Sequence, residues 1–289
     1  MTVVVLCCAL AACSFLVAAS GLPCESPEQP HLVLTTVEGS VEIELFPAAA
    51  PEAVARLVRL AVGPVFDSTL VNTDLRHGIV GYYDGLWFDL AYPHTSLATS
   101  VRPPADTFLI RTQIDAGALG LDARLILTAP EATNVWQFEL FPHSAGLAAD
   151  ADLHPRLQEW LGRWNETFSA GFLVGVSQRE INEALGYSYV SGLESQPVTR
   201  GSVALEPFDT TWSTPRLVIA LRDFPKFDGR RMVVGRVVSG LDLVDDISAR
   251  KLSPDRAVRN RPLVPVKISG ARVDCRRPGK PDDATNGVK

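Results

Sequence analysis

The sequence predicts a mainly β domain with a few helices, on the strength of two stretches near opposite ends of the chain. Between Arg200 and Ile247, two short apolar runs (217–221 and 232–238) flank Asp228-Gly229, a residue pair that tolerates the positive φ of a tight hairpin. Between His31 and Phe46, the apolar Val41, Ile43 and Leu45 alternate with Glu42 and Glu44. That period of two gives a strand one buried face and one wet face. A helical pattern follows each β stretch.

The elements are expected in the following order. Residues 31–46 form a hairpin that turns at Glu38-Gly39. Ala50-Pro51-Glu52 opens a helix with proline at its first position, where a missing N–H costs nothing. Its core face is Val54, Leu57, Val58 and Ala61, with Arg56 and Arg59 outside. Residues 63–80 read as a loop. Short strands are expected at 125–127 and 136–140. Leu157, Trp160, Leu161, Trp164 and Phe168 line one face of a helix, and His154 before Pro155 stands at its start. Packing of the segment onto the rest of the domain is the plain account of that aromatic face; a partner groove is the sharper one. Residues 171–175 read as a strand, with 108–111 as the rival. Ser239 stands three residues before Asp242 like a capping box, opening a last helix with Leu241, Val244 and Ile247 on its apolar face.

Bulk properties narrow the classes. A chain of 289 residues is long enough for two domains or one elaborated domain, and 46% hydrophobic content supplies an ample core. A net charge of −6 argues against a nucleic-acid surface, which needs a basic face. Residues 1–24 carry no charged side chain, and Ala18-Ala19-Ser20 offers small residues for cleavage, so 1–20 reads as a signal peptide or membrane leader. Leu10-Ala11-Ala12-Cys13 matches a bacterial lipoprotein box and makes Cys13 the lipidation candidate. The expected destination is export, whether periplasmic, envelope-anchored or secreted. Cys24 and Cys275 are the disulfide candidates; two separate thiols on the chain ends are the other reading. The polar tail 276–289 is expected to be disordered. Histidines at 31, 77, 94, 143 and 154 make no metal-ligand spacing, and no phosphate-binding or nucleophile-elbow motif is present. No metal and no cofactor is expected.

The same segments, in this order, resemble the cyclophilin family of peptidyl-prolyl isomerases. Its pattern is matched by Thr36-x-x-Gly39-x-Val41-x-Ile43-Glu44-Leu45, Ala50-Pro51-x-x-Val54 and Tyr83-Asp84-Gly85 ahead of Phe88. It is matched again by Arg200-Gly201, Asp228-Gly229, Gly235-Arg236-Val237 and Gly240-Leu241-Asp242-Leu243-Val244-Asp245. The resemblance implies one closed antiparallel β-barrel over 31–275, flanked by two helices and carrying an inserted α+β segment at about 92–170. It implies peptidyl-prolyl cis-trans isomerisation, with X-Pro polypeptides as clients.

An X-Pro bond rotates slowly because its C–N bond has partial double-bond character, with a barrier of about 20 kcal/mol. Catalysis asks for a dry slot for the proline ring and a donor to the twisted amide, each ~1.4 kcal/mol of preferential stabilisation yielding about tenfold in rate. The position of the family's donor arginine is occupied by Leu90, which donates nothing. The slot positions correspond to Phe172, Val218 and Phe227, with Leu90 beside them. Arg216 and Arg231 take the places of a glutamine and a histidine and are the candidate donors; solvated surface charge is the plain account of both. Arg102 is a third candidate if the insertion folds back. Lys226 replaces a tryptophan, and Gly175 a second glutamine. Two functions follow: an exported isomerase, or a non-catalytic polypeptide-binding or scaffold module on the same fold.

Overall fold

The computed structural model describes residue 24 and residues 29–62, 79–83, 87–91, 109–146, 153–251, 263–264 and 266–276. The leader, Cys13, the 63–78 segment, Arg102, the start of the expected insertion and the C-terminal tail lie outside the described residues.

Strand β1 (Gln29–Thr36) turns into β2 (Gly39–Leu45), the expected hairpin, with His31 opposite Glu44 and Thr36 opposite Gly39. Val41, Ile43 and Leu45 are buried, as alternation demands. Helix α1 (Pro51–Val62) lays Ala53, Val54, Leu57, Val58 and Ala61 on the same core. Strands β3 (Ile79–Tyr83), β4 (Trp87–Ala91) and the short β5 (Ile110–Arg111) follow.

A run of helices comes next. It comprises α2 (Ala129–Val135), a π-helical turn (Trp136–Leu140) and α3 (Phe141–Gly146). After these come α4 (Pro155–Thr167), a 3-10 turn (Ala170–Leu173) and α5 (Gln178–Ala184). The chain then returns to β6 (Ser202–Pro207) and β7 (Trp212–Ala220), a 3-10 turn (Pro225–Phe227) and β8 (Val233–Ser239). Helix α6 (Leu241–Ser248) and β9 (Val266–Arg276) complete it.

All strand pairings are antiparallel. The order is β4-β3-β9-β1-β2-β8-β6-β7-β5, and β4 also pairs with β7. That pairing closes the sheet into a ring and leaves β5 on its margin. Inside sit Leu32, Leu34, Ile43, Val203, Leu217, Ile219 and Val234, with α1 and α6 (Val244, Ile247) against the same core. Gly235 lets β8 approach β2 closely, since a Cβ there would meet the Glu44 carbonyl oxygen at 2.4 Å. A disulfide joins Cys24 to Cys275, and Cys275 lies on β9 opposite Pro30, so the bond ties the two ends of the described chain together.

The helices between β5 and β6 have a core of their own. Trp136, Leu140, Leu157, Trp160, Leu173 and Ile181 are buried together. Trp164 stacks on Trp136 at 5.2 Å, and Phe172 meets Trp136 edge-on at 5.6 Å. The aromatic face of α4 therefore packs within the helical unit rather than onto the barrel.

The structure corrects several sequence expectations. Residues 136–140 are helical, because Trp136 and Leu140 stand four apart and bury on one side. Leu125 makes only an isolated bridge to Ser177, and Thr128 caps α2 immediately after. Residues 170–173 form a 3-10 turn capped by Ser169, with Ala170 and Leu173 buried in the helical core. The rival run holds the strand instead: Ile110 pairs with Ser213 and reaches the barrel core. The expected Asp228-Gly229 hairpin is a turn inside a crossover, because β6 lies between β7 and β8. Finally, Gly240 rather than Ser239 caps α6. Its φ of 82° and a gap that a Cβ would close to 2.3 Å from the Ser40 carbonyl oxygen require glycine there.

Candidate polypeptide-binding groove

Alternation along β7 separates two environments. Leu217 and Ile219 point into the barrel, while Val218 and Ala220 face the opposite side. On that outer face Val218, Ala220, Ala204, Val233 and Val198 form a small apolar floor. The chain leaving β7 folds back over it. Phe224 is buried against the floor, and Phe227 packs beside it with ring centroids 5.7 Å apart.

Cations surround these rings. The Arg231 guanidinium lies 5.2 Å from the Phe227 centroid, the Lys226 ammonium 5.0 Å from the same ring, and Arg222 5.0 Å from Phe224. Each such contact is worth about 0.5–1 kcal/mol where water has access. Arg231 also donates to Glu206 at 2.9 Å, its side chain only 16% exposed. Glu206 lies on β6, and nothing in its sequence spacing marks it as a partner of Arg231.

The turn that carries Phe227 and Arg231 is itself fixed. Asp228 is buried, accepts from the Val198 amide at 2.6 Å and forms an ion pair with Arg124. The amides of Arg230 and Arg231 both donate to the Phe227 carbonyl, at 2.9 and 3.1 Å. Burial pushes the nearby Tyr189 hydroxyl up to about 12 and raises Tyr187 as well. Beside the turn a cleft of about 230 Å³ runs toward α2 and α5, lined in part by Arg124, Glu139, Gln178, Lys226 and Arg230.

The structure thus brings together Val218, Phe227 and Arg231. Arg216 lies half-buried on β7 two residues before Val218. Leu90 is placed by register alone, its backbone opposite Leu217, and the register partner of Val218 is Asp89. Phe172 is not in this group. It sits in the helical core against Trp136, with Arg163 above its ring at 5.1 Å. The strand assumed at 171–175 would have placed it in the groove; the 3-10 turn removes it. Among the described residues, no cluster of His, Cys, Asp and Glu side chains is arranged to hold a metal ion.

A closed antiparallel ring flanked by two helices, with a small apolar cluster on the outside of β7, makes this a closed antiparallel β-barrel. No family model and no curated protein sequence matches the chain. Among solved structures, the chain is similar to a cyclophilin-type peptidyl-prolyl cis-trans isomerase of Cryptosporidium parvum at 9% identity and a TM-score of 0.39, covering 86% of this chain and 98% of that one. The Cryptosporidium protein crystallised in the presence of the dipeptide Ala-Pro gives 10% identity and a TM-score of 0.39, over 84% of this chain and 98% of that one. A cyclophilin of Hirschia baltica gives 15% and 0.38, over 83% and 72%.

Proposed function

We propose that this chain is an exported polypeptide-binding protein that takes proline-containing segments on the outer face of β7. The observation that carries the reading is the half-buried Phe227 ring, which packs at the edge of the buried Val218 cluster with the Arg231 guanidinium 5.2 Å from its centroid. A proline ring is compact, apolar and carries no N–H, so it loses little by leaving water for such a surface.

Binding without turnover is the favoured form. Stabilising a twisted amide needs a donor aimed at it, and the Arg231 guanidinium is engaged by Glu206. Leucine at position 90 supplies no donor. Isomerisation remains the second reading, favoured by the motif residues shared with cyclophilins, with Arg216 and Arg231 as the donors. The Cys24–Cys275 bond supports an oxidising compartment and hence export, with the uncharged leader cleaved or lipidated at Cys13.

The test is direct. The mature protein is titrated with a short Ala-Pro peptide and assayed for proline isomerisation, alongside Arg216→Ala/Arg231→Ala and Asp89→His/Leu90→Arg variants. Saturable binding with no acceleration supports the favoured form. Acceleration that is lost on removing the two arginines supports the second. Absence of peptide binding rules out both.

A further inference from the structure

The turn that carries the groove wall is gripped from the helical unit. Asn182, on α5, is fully buried. Its Nδ2 donates to the Asp228 carbonyl at 3.3 Å, and its Oδ1 accepts from Arg230 Nε at 2.6 Å. Gln178, one helical turn earlier, donates to the carbonyls of Pro225 and Asp228 at 3.1 and 3.3 Å. Arg124 forms an ion pair with the Asp228 carboxylate, and Arg230 pairs with Glu139 at 2.5 Å. Gly229 fits so closely that a Cβ on it would lie 2.4 Å from Leu121 Cδ1 and 3.0 Å from Asn182 Nδ2.

An Asp-Gly turn closes with its own backbone bonds, and those bonds are present here as well. The additional contacts therefore fix where the turn stands relative to the helices, not whether it closes. Phe227 precedes the turn and Arg231 follows it, so its position determines the stack between them. Buried bonds of this kind hold one geometry because every alternative leaves a polar group unpaired.

We propose that Asn182, supported by Gln178 and Arg124, is a positioning residue for the groove. It holds residues 228–231 so that Phe227 and Arg231 keep the spacing at which a polypeptide is bound. This rests on the groove reading above. It makes the helical unit part of the construction of the site.

The test uses the full mature chain. Asn182→Leu keeps the volume and removes both bonds; Asn182→Asp keeps the acceptor for Arg230. The Nε–Hε NMR signal of Arg231 is recorded in each, and each is titrated with an Ala-Pro peptide. In the Leu variant the signal should shift and affinity should fall about tenfold, the effect of one lost buried bond. The Asp variant should return both toward wild type. An unmoved signal, or a moved signal with wild-type affinity, overturns the proposal. If the wild-type protein binds no peptide, the groove reading fails, and the Arg231 signal alone decides whether Asn182 positions the turn. Should Asn182→Leu not fold, Gln178→Ala at a half-buried position is read in the same two ways.

Discussion

Arg231 holds its guanidinium over the ring of Phe227, 5.2 Å from the centroid, while donating to Glu206 on the neighbouring strand. The pair joins the turn after β7 to β6, and the Val218 floor lies beneath it. Truncating the ring with Phe227→Ala should reduce affinity for an Ala-Pro peptide by about 10- to 100-fold, the burial value of an aromatic side chain. Calorimetric titration reads this directly. Unchanged affinity would place the binding surface elsewhere.

Gly229 and Gly120 both have positive φ, 78° and 64°, but only Gly229 is enclosed. An added methyl at Gly229 collides with Leu121 and crowds the Tyr189 hydroxyl at 2.9 Å, whereas Gly120 has nothing within 4 Å. Gly120→Ala should cost about 1–2 kcal/mol of backbone strain. Gly229→Ala should cost about 1–3 kcal/mol more through overpacking. Urea denaturation of the two variants side by side checks the order, and equal costs would contradict the packing described here.

The Cys24–Cys275 bond closes a loop of 251 residues in sequence separation. Long loops lose the most entropy when cross-linked in the unfolded state, so Cys24→Ser or reduction should lower stability by about 2–5 kcal/mol. Thermal unfolding with and without reductant tests this. A midpoint indifferent to reductant would show that the bond does not form in the folded protein.

Tyr189 should give stability an alkaline limit. Its hydroxyl is pushed from 10.0 to about 12 by burial. Above pH 10 the unfolded chain gives up this proton first, so it binds fewer protons than the folded chain and stability falls as pH rises toward 12. The full effect is on the order of 2–3 kcal/mol. Tyr189→Phe should flatten that part of the pH profile while leaving the neutral region nearly level. An unaltered alkaline slope would assign the loss to other groups.

Much of the barrel was legible because its signals are local. The alternation at Val41, Ile43 and Leu45, the proline start of α1 and the apolar face of α6 each act over a few residues. The helical unit was less so. Trp136 and Leu140 belong to a short apolar stretch that fits a strand as well as a helix, and length alone did not separate them. Phe172 was misplaced for a related reason: residues 171–175 read as a strand, yet the burial of Ala170 and Leu173 against the tryptophans decides the outcome. Gly240 took the cap from Ser239 because α6 starts against β2, a contact invisible from the cap residues themselves.

The sequence by itself determined the mainly β architecture and most element positions. Only the tertiary structure decided that Arg231 stacks on Phe227 and answers to Glu206, that β6 separates β7 from β8, and that Asn182 reaches across from the helices to hold the turn. Periodicity records how one segment meets water and core. Which strand lies between two others, and which buried amide meets which carbonyl, follows from satisfying all of those faces at once.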